Sequence, residues 1–227
     1  MSTIVTIIGT HGSGKSSLVR QVMNFLGTND PFKFDSKPAG YRFTRPDGQR
    51  IFVLGKYTTA CGGLDSSFSY KGAADDVVLC IDLLAQKGHV VCEGVIAMSS
   101  YGFGRLSNLA TSQEKRGNHV IFALLDTPLE VCIQRTEARR AARATQYGKE
   151  SKPFDPQNLI AKYYSMLRDQ ERLADAGYAC RMIPYQDPLP PLLQWLGLEN
   201  AERAASRRSV SLLEVENSAP ALVSEIH

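Results

Sequence analysis

Residues 9–16 read Gly-Thr-His-Gly-Ser-Gly-Lys-Ser, the complete G-x-x-x-x-G-K-S pattern of a loop that cradles phosphates. Its glycines allow positive φ, so that backbone N–H groups at the start of a following helix can face a polyphosphate. Lys15 is predicted to reach the β- and γ-phosphates, and Ser16 to ligate Mg²⁺. The residues predicted to contact the nucleotide are Gly9, Thr10, His11, Gly12, Ser13, Gly14, Lys15, Ser16 and Ser17.

The flanking residues supply the structural context that this loop requires. The apolar run Ile4–Ile8 has the composition of a strand, and the apolar spacing over 18–23 is that of a helix. A glycine-rich turn that binds nothing is the alternative, but four fixed motif positions coincide here with a strand and a helix. The sequence therefore predicts a nucleoside triphosphate site in which Lys15 is catalytic.

A second cluster of charge lies further along the chain. Arg135, Arg139 and Arg143 are spaced four apart and therefore lie along one face of a helix, with Arg140 beside them. A solvated helix surface is the ordinary explanation of such a run. The functional alternative is a cationic lid over about 134–153 that closes on the triphosphate, where these arginines stabilise the charge of phosphoryl transfer.

The phosphate loop, the stretch 124–131 (Leu-Leu-Asp-Thr-Pro-Leu-Glu-Val) and the arginine-rich lid resemble the thymidylate-kinase-like branch of the P-loop nucleoside and nucleotide kinases. In that group a strand ends in an acidic residue near the transferred phosphate, and Glu93 fits that place. The resemblance implies that Glu93 holds a Mg²⁺-bound water or accepts the proton of the attacking hydroxyl. A surface acid that ends a buried strand is the alternative.

In such kinases the acceptor binds in the region that corresponds to 30–72, and here residues 55–72 are rich in glycine, aromatic and hydroxyl side chains. This composition suits a loop that stacks a base and hydrogen-bonds its edge, although an aromatic packing loop would look the same. The predicted acceptor contacts are Arg42, Lys56, Tyr57, Gly62, Gly63, Asp65 and Tyr70. Asp65 is also a catalytic candidate.

The start Gly-Thr-His-Gly-Ser-Gly-Lys-Ser-Ser, together with Gly-Lys-Tyr and Cys-Gly-Gly-Leu-Asp in the acceptor region, resembles the bacteriophage 5-hydroxymethyluracil DNA kinases. Those enzymes phosphorylate the hydroxymethyl group of a modified thymine in DNA, a step towards hypermodified bases that resist host restriction. The resemblance implies that Gly12, Ser13, Gly14, Lys15 and Ser16 bind ATP phosphates and Mg²⁺, and that modified DNA is the partner.

Two other functions remain open at the level of sequence. A kinase of a free nucleoside, nucleotide or other small metabolite would use the same loop, lid and Glu93. A nucleotide-binding regulatory module without transferase activity would need the loop alone. These alternatives differ in the acceptor, which the sequence does not identify.

The elements that must position these residues alternate along the chain. Apolar runs of strand length alternate with helical patterns, which predicts an α/β fold of the P-loop type, a parallel sheet with helices on both faces in three layers. A Pro-Asp-Gly turn at 46–48 predicts a hairpin. We expect one kinase domain over 1–198 and a weakly ordered tail over 199–227.

The composition indicates the size of the core, the compartment and the kinds of partner that we expect. With 227 residues, 43% of them hydrophobic, the chain can build one sizeable core. No apolar stretch approaches the roughly 20 residues that span a bilayer, so we expect no membrane partner and a cytoplasmic protein, in the host if its source is viral. The five scattered cysteines predict reduced thiols, and a net charge of +3 is compatible with nucleic acid without requiring it. A homodimer is possible.

Overall fold

The computed structural model describes residues 1–58, 63–68, 73–94, 100–148 and 153–199, and it describes 65, 66 and 100–106 by their backbone alone. The elements in chain order are β1 (Thr3–Ile8), α1 (Lys15–Leu26), β2 (Asp30–Phe34), β3 (Lys37–Thr44), β4 (Arg50–Leu54), α2 (Leu64–Ser67), α3 (Ala73–Ala85), β5 (His89–Glu93), α4 (Ser100–Lys115), β6 (His119–Asp126), α5 (Leu129–Gln146), α6 (Gln157–Asp175), β7 (Ala179–Pro184) and α7 (Leu189–Trp195).

The strands form one mixed sheet in the order β2-β3-β4-β5-β1-β6-β7. The five strands from β4 to β7 run parallel, and β3 is antiparallel to both β4 and β2. This confirms the predicted α/β fold, although the sheet is mixed where a parallel sheet was predicted, and the predicted Pro-Asp-Gly turn joins β3 to β4. The edge strand β2 was not predicted, because its sequence Asp-Pro-Phe-Lys-Phe is short, largely exposed and begins with a turn-forming pair.

The central strands are buried on both faces. Every residue of β1 and β5 is buried, as expected where helices cover a parallel sheet from both sides. On one face, a hydrophobic cluster joins β1, β5 and β6 to α3, α4 and α6, with Ile4, Val90 and Phe122 at the strands. The buried residues Leu18, Val19 and Val22 of α1 belong to the opposite side of the sheet, where α1 contacts β5.

The parallel strands bring the functional residues to one edge of the sheet. Ile7 of β1 pairs with Glu93 at the end of β5, and Ile8 pairs with Leu124 near the end of β6. The phosphate loop follows β1, and the loop into α5 follows β6. Because ligands bind outside the carboxyl ends of parallel strands, the fold places the predicted site where such folds bind their substrates.

The chain divides into two compact units, Met1–Leu189 and Pro190–His227. Of the predicted tail over 199–227, only Glu199 lies within the described residues. The described cysteines, Cys80, Cys92, Cys132 and Cys180, are free thiols. Among the helices that the structure describes, none has the length and apolar character needed to cross a membrane.

Candidate active site

The phosphate loop is shaped by glycines that other residues cannot replace. Gly12 and Gly14 have φ of +79° and +100°, in the region that favours glycine. A Cβ at Gly12 would also collide with the Cys132 carbonyl and lie 2.7 Å from Thr136 Oγ1, both on α5. The loop is therefore seated against α5 by close backbone contact.

A threonine hydroxyl in the connection between β6 and α5 forms a hydrogen bond to the phosphate loop. Thr127, in the turn between β6 and α5, is buried, and its Oγ1 donates to the Ser13 carbonyl at 2.8 Å. Cys132 Sγ in turn lies 3.8 Å from the Thr127 carbonyl. Thr127 in the stretch 124–131 thus has a structural role, since it fixes the phosphate loop to the turn before α5.

Lys15 is the first residue of α1 and is largely buried, with 9% of its surface exposed. Its Nζ donates to the carbonyls of Gly9 and Thr10 at 2.7 and 3.0 Å. These bonds fold the ammonium group back across the loop. The positive charge is thereby held beside the backbone N–H groups that would face a triphosphate.

Ser16 and Glu93 form the second part of the site. Ser16 Oγ donates to Glu93 Oε1 at 2.8 Å, and Glu93 is only 3% exposed. A hydroxyl and a carboxylate are hard oxygen donors, and a site with one or two protein ligands suits Mg²⁺, which binds mainly through waters and substrate phosphates. Ser16 and Glu93, which the sequence predicted to bind the same Mg²⁺, are therefore joined by a hydrogen bond.

A cavity of about 1070 Å³ opens over these residues. A volume of this size is at the upper end of the roughly 300–1,000 Å³ that small-molecule sites commonly enclose. The residues that line it are Thr10, His11, Gly12, Ser13, Gly14, Lys15, Ser16, Ser17, Leu18, Gln21, Gly63, Glu93, Leu125, Arg135, Thr136, Arg139, Arg140, Arg143, Pro153, Phe154, Asp155, Asn158, Leu159, Tyr185, Gln186 and Pro188.

The arginines of α5 line one wall of this cavity at increasing distance from the phosphate loop. Arg135 Nη1 lies 3.7 Å from the position of a Cβ on Gly14, and its guanidinium lies over the Tyr185 ring at 5.7 Å from the centroid. Arg143 is eight residues further along, which is about 12 Å of helix. From 137 to 148 every residue except half-buried Ala144 is exposed, so this half of α5 projects into solvent.

The surroundings of the loop carry positive charge and buried hydroxyls. Burial raises the pKa of the Cys132 thiol to about 11, although the nearby charges of Lys15 and Arg135 oppose this shift. The thiol therefore stays protonated at neutral pH and is no nucleophile. Among the described residues, the buried hydroxyls of Thr10, Ser13 and Thr136 have no hydrogen-bond partner, which leaves them able to bind a ligand or water.

No family model matches the sequence. A curated relative, the 5-hmdU DNA kinase of Pseudomonas phage PaMx11, is 30% identical over 177 residues, which is 77% of this chain and 86% of the relative. The chain belongs to the 5-hmdU DNA kinase family. A second family member, from Pseudomonas phage M6, is 28% identical over 197 residues, which is 82% of this chain and 92% of the relative.

Two solved structures are more distantly similar to this 5-hmdU DNA kinase family member. A chain from the PezAT chromosomal toxin-antitoxin system of Streptococcus pneumoniae is 14% identical, with coverage of 94% and 87% and a TM-score of 0.48. A gluconokinase from Sinorhizobium meliloti 1021 is 17% identical, with coverage of 92% and 96% and a TM-score of 0.41. Both TM-scores are too low to add to the family assignment.

In this 5-hmdU DNA kinase family member, the cavity brings together most of the predicted nucleotide residues with Glu93, Gly63 and the three predicted lid arginines. Other predicted residues lie outside the described residues or are not among those that line the cavity. Gly62 and Tyr70 lie outside the described residues, as does the Asp65 side chain. Lys56 is exposed, and its backbone forms a bridge to Gly63. Helix α5 contains most of the predicted lid, and residues 149–152 of that lid lie outside the residues that the structure describes.

The structure does not bring Tyr57 or Arg42 to the cavity. Tyr57 is 7% exposed and its hydroxyl donates to the Leu54 carbonyl at 3.0 Å, so its ring packs in the core instead of presenting a face to a base. Arg42 pairs across the sheet with Phe52, well before the carboxyl end of β4, and forms an exposed 2.8 Å ion pair with Asp30. Neither residue is among the described residues that line the cavity, and their contact with an acceptor stays a prediction.

Several cavity residues were not predicted. Tyr185 and Gln186 follow β7, and they could have been identified from the rule that residues after a parallel strand face the ligand. Thr136 follows Arg135 directly, but no residue pattern predicts that α5 packs against Gly12. Phe154, whose ring lies 5.4 Å from the Arg140 guanidinium carbon, reaches the cavity from the segment before α6.

Proposed function

We propose that this chain transfers the γ-phosphoryl group of ATP to the hydroxymethyl group of 5-hydroxymethyluracil in DNA. The observation that carries the proposal is the contact between Ser16 of the phosphate loop and Glu93, in a member of the 5-hmdU DNA kinase family. A triphosphate on this loop would place its outer phosphates beside a buried carboxylate. That is the arrangement which transfer to an alcohol needs.

The reaction requires little covalent chemistry from the protein. The hydroxymethyl oxygen attacks the γ-phosphorus, the bond from that phosphorus to the β,γ-bridging oxygen breaks, and ADP leaves with the electron pair. The hydroxyl proton passes to the Glu93 carboxylate, which acts as general base. Lys15 and Arg135 stabilise the charge on the phosphoryl oxygens.

Mg²⁺ fits the same site, where Ser16 would bind it directly and Glu93 would bind it through a water, which leaves the carboxylate able to accept the hydroxyl proton. When bound, it would neutralise the charge of the β- and γ-phosphates. The protein contributes the orientation of both groups, since α1 begins at Lys15 beside the strand end that carries Glu93.

A base within DNA must leave its stack before it reaches this cavity, at a cost of a few kcal/mol. The exposed half of α5 offers a basic surface beside the entrance, through Arg139, Arg140 and Arg143. Such a surface suits the phosphate backbone next to an extruded base. We therefore propose that Arg135 serves ATP and that the outer arginines serve the DNA strand.

The acceptor assay tests the proposed activity directly. With γ-labelled ATP, we expect label in polymeric DNA that contains 5-hydroxymethyluracil and none in the same duplex with thymine. The reason is that only the modified base carries an alcohol in reach of the γ-phosphorus. Scintillation counting of precipitated DNA measures the transfer, and digestion of the DNA product to nucleosides identifies the base that carries the label. Label only in free 5-hydroxymethyl-dUMP would contradict the DNA proposal and favour a small-molecule kinase.

Substitutions along α5 test the division of labour between its arginines. We expect Arg135→Ala to lower kcat/KM for ATP about 10²-fold, because it removes a charge next to the phosphate loop. Arg143→Ala instead raises KM for DNA and reduces the slope of log K against log salt by about one, the effect of losing one phosphate contact. Steady-state kinetics at several salt concentrations measure both quantities. Equal losses in kcat/KM for ATP from the two substitutions would contradict the division.

A further inference from the structure

Gly63 lies directly against the Glu93 carboxylate. A Cβ on Gly63 would collide with Glu93 Oε1 and would lie 3.0 Å from Glu93 Cδ. The same Oε1 accepts the hydrogen bond from Ser16. One carboxylate oxygen is therefore enclosed between a hydroxyl of the phosphate loop on one side and the bare Cα of Gly63 on the other.

The backbone behind Gly63 is firmly tied to the sheet. Gly63 N donates to the Lys56 carbonyl at 2.7 Å, and Lys56 N donates to the Gly63 carbonyl at 3.1 Å. Gly55 N donates to the Ala39 carbonyl of β3 at 2.8 Å. A Cβ on Gly55, whose φ is +113°, would lie 2.5 Å from the Gly63 carbonyl carbon. The two glycines thus interlock, and Gly63 has little freedom to move away from Glu93.

The conformation of Gly63 fits this role. Its φ of +139° and ψ of −167° belong to a region that is essentially restricted to glycine. The residue therefore combines a glycine-only backbone with a contact that leaves no room for a side chain. A residue that served only to touch an acceptor would need neither property.

We infer that Gly63 is a positioning residue, which acts on catalysis by setting the Glu93 carboxylate against Ser16. The inference rests on the proposed function, because it assumes that Glu93 is the general base. Gly63 and Glu93 line the same cavity, and the backbone of Gly63 is bridged to that of Lys56. Gly63 itself takes no part in the chemical step.

The test is the Gly63→Ala variant of the full chain. We expect kcat to fall about 10²-fold, since a displacement of about 1 Å in a reacting group has an effect of that size. The KM for ATP and the affinity for an ATP analogue without DNA should stay within about threefold, because the phosphate loop is unchanged. Gly177→Ala is the matched control. Gly177 also has positive φ, +85°, but no neighbouring atom near the position of its Cβ, so kcat should be retained.

A double-mutant cycle with Glu93→Asp separates positioning from backbone strain. Aspartate is one methylene shorter, so its carboxylate withdraws from position 63 and the added methyl group meets less resistance. Gly63→Ala should therefore lower kcat by less than about threefold in the Glu93→Asp background. Strain at position 63 is present in both backgrounds and cancels. Additive losses, or wild-type kcat in Gly63→Ala, would overturn the inference.

The thermal midpoint and the choice of acceptor provide two further tests of the role of Gly63. The drop in thermal midpoint that Gly63→Ala causes should be smaller in the Glu93→Asp background than in the wild type, because the backbone strain remains but the clash with the carboxylate is relieved; an equal drop in both backgrounds overturns the inference. If the wild-type chain phosphorylates a free nucleotide instead of DNA, the proposed function fails, but the same cycle on that acceptor still decides the role of Gly63.

Discussion

The Lys15→Met variant should lose on the order of 10³-fold in kcat with 5-hydroxymethyluracil DNA as acceptor. Methionine is similar in length, but it has no charge to place beside the β- and γ-phosphates. It also cannot donate to the Gly9 and Thr10 carbonyls, which Lys15 Nζ bonds at 2.7 and 3.0 Å. The KM for ATP should rise as well, because both the ground state and the transition state lose this ammonium group. Initial rates over a range of ATP concentrations measure the two effects.

The matched control for Lys15 is Lys87→Met, which removes an exposed lysine in the turn before β5 and should leave both kinetic constants unchanged. A fold that survives the substitution at Lys15 can be recognised from an unchanged circular dichroism spectrum. A variant with methionine at position 15 that turned over at a wild-type rate would remove the phosphate loop from the mechanism, and with it the assignment of the cavity.

The second large effect is expected from Glu93→Gln. Glutamine keeps the volume of glutamate and an oxygen that can accept the Ser16 hydrogen bond, but it has no negative charge and cannot accept a proton. The kcat should fall about 10²–10⁴-fold, the usual contribution of a general base. KM for ATP should change little, since Lys15 and the loop backbone are retained. Single-turnover rates and a titration with Mg²⁺ measure the loss and any weakening of the metal site.

The comparison for Glu93 is Glu171→Gln, which removes an exposed carboxylate of α6 that does not line the cavity. Its kcat should match that of the wild type. If Glu93→Gln retained full activity while Glu171→Gln also did, the general base would have to be sought elsewhere on the cavity wall. A normal kcat with a raised requirement for Mg²⁺ would assign Glu93 to the metal alone.

The sequence predicted the parts of the site that depend on local pattern. The phosphate loop is contiguous, and its motif fixes both the residues and the turn between strand and helix. Glu93 ends an apolar run, and the resemblance to kinases gave that position a role. Parallel pairing of β1 with β5 then brought it to Ser16.

The remaining features depend on contacts between distant residues. The contact of Gly63 with Glu93 joins residues thirty positions apart, and no periodicity records it. Tyr57 was predicted to contact the acceptor from the composition of its segment, which does not reveal that Tyr57 is buried or that its hydroxyl donates to the Leu54 carbonyl. For the same reason the edge strand β2 escaped prediction, since its pairing partner β3 decides its conformation.

The hydrogen bond from the Thr127 hydroxyl to the Ser13 carbonyl affects which parts of α5 can change in sequence without disturbing the phosphate loop. The first turn of α5 and the phosphate loop are in close contact, because a Cβ at Gly12 would also collide with the Cys132 carbonyl. From Glu137 to Gly148 nearly all residues are exposed, and Arg140 lies over the Phe154 ring. If the proposed division of roles along α5 holds, changes confined to these exposed turns would alter the contact with the DNA strand and leave the phosphate loop unaltered.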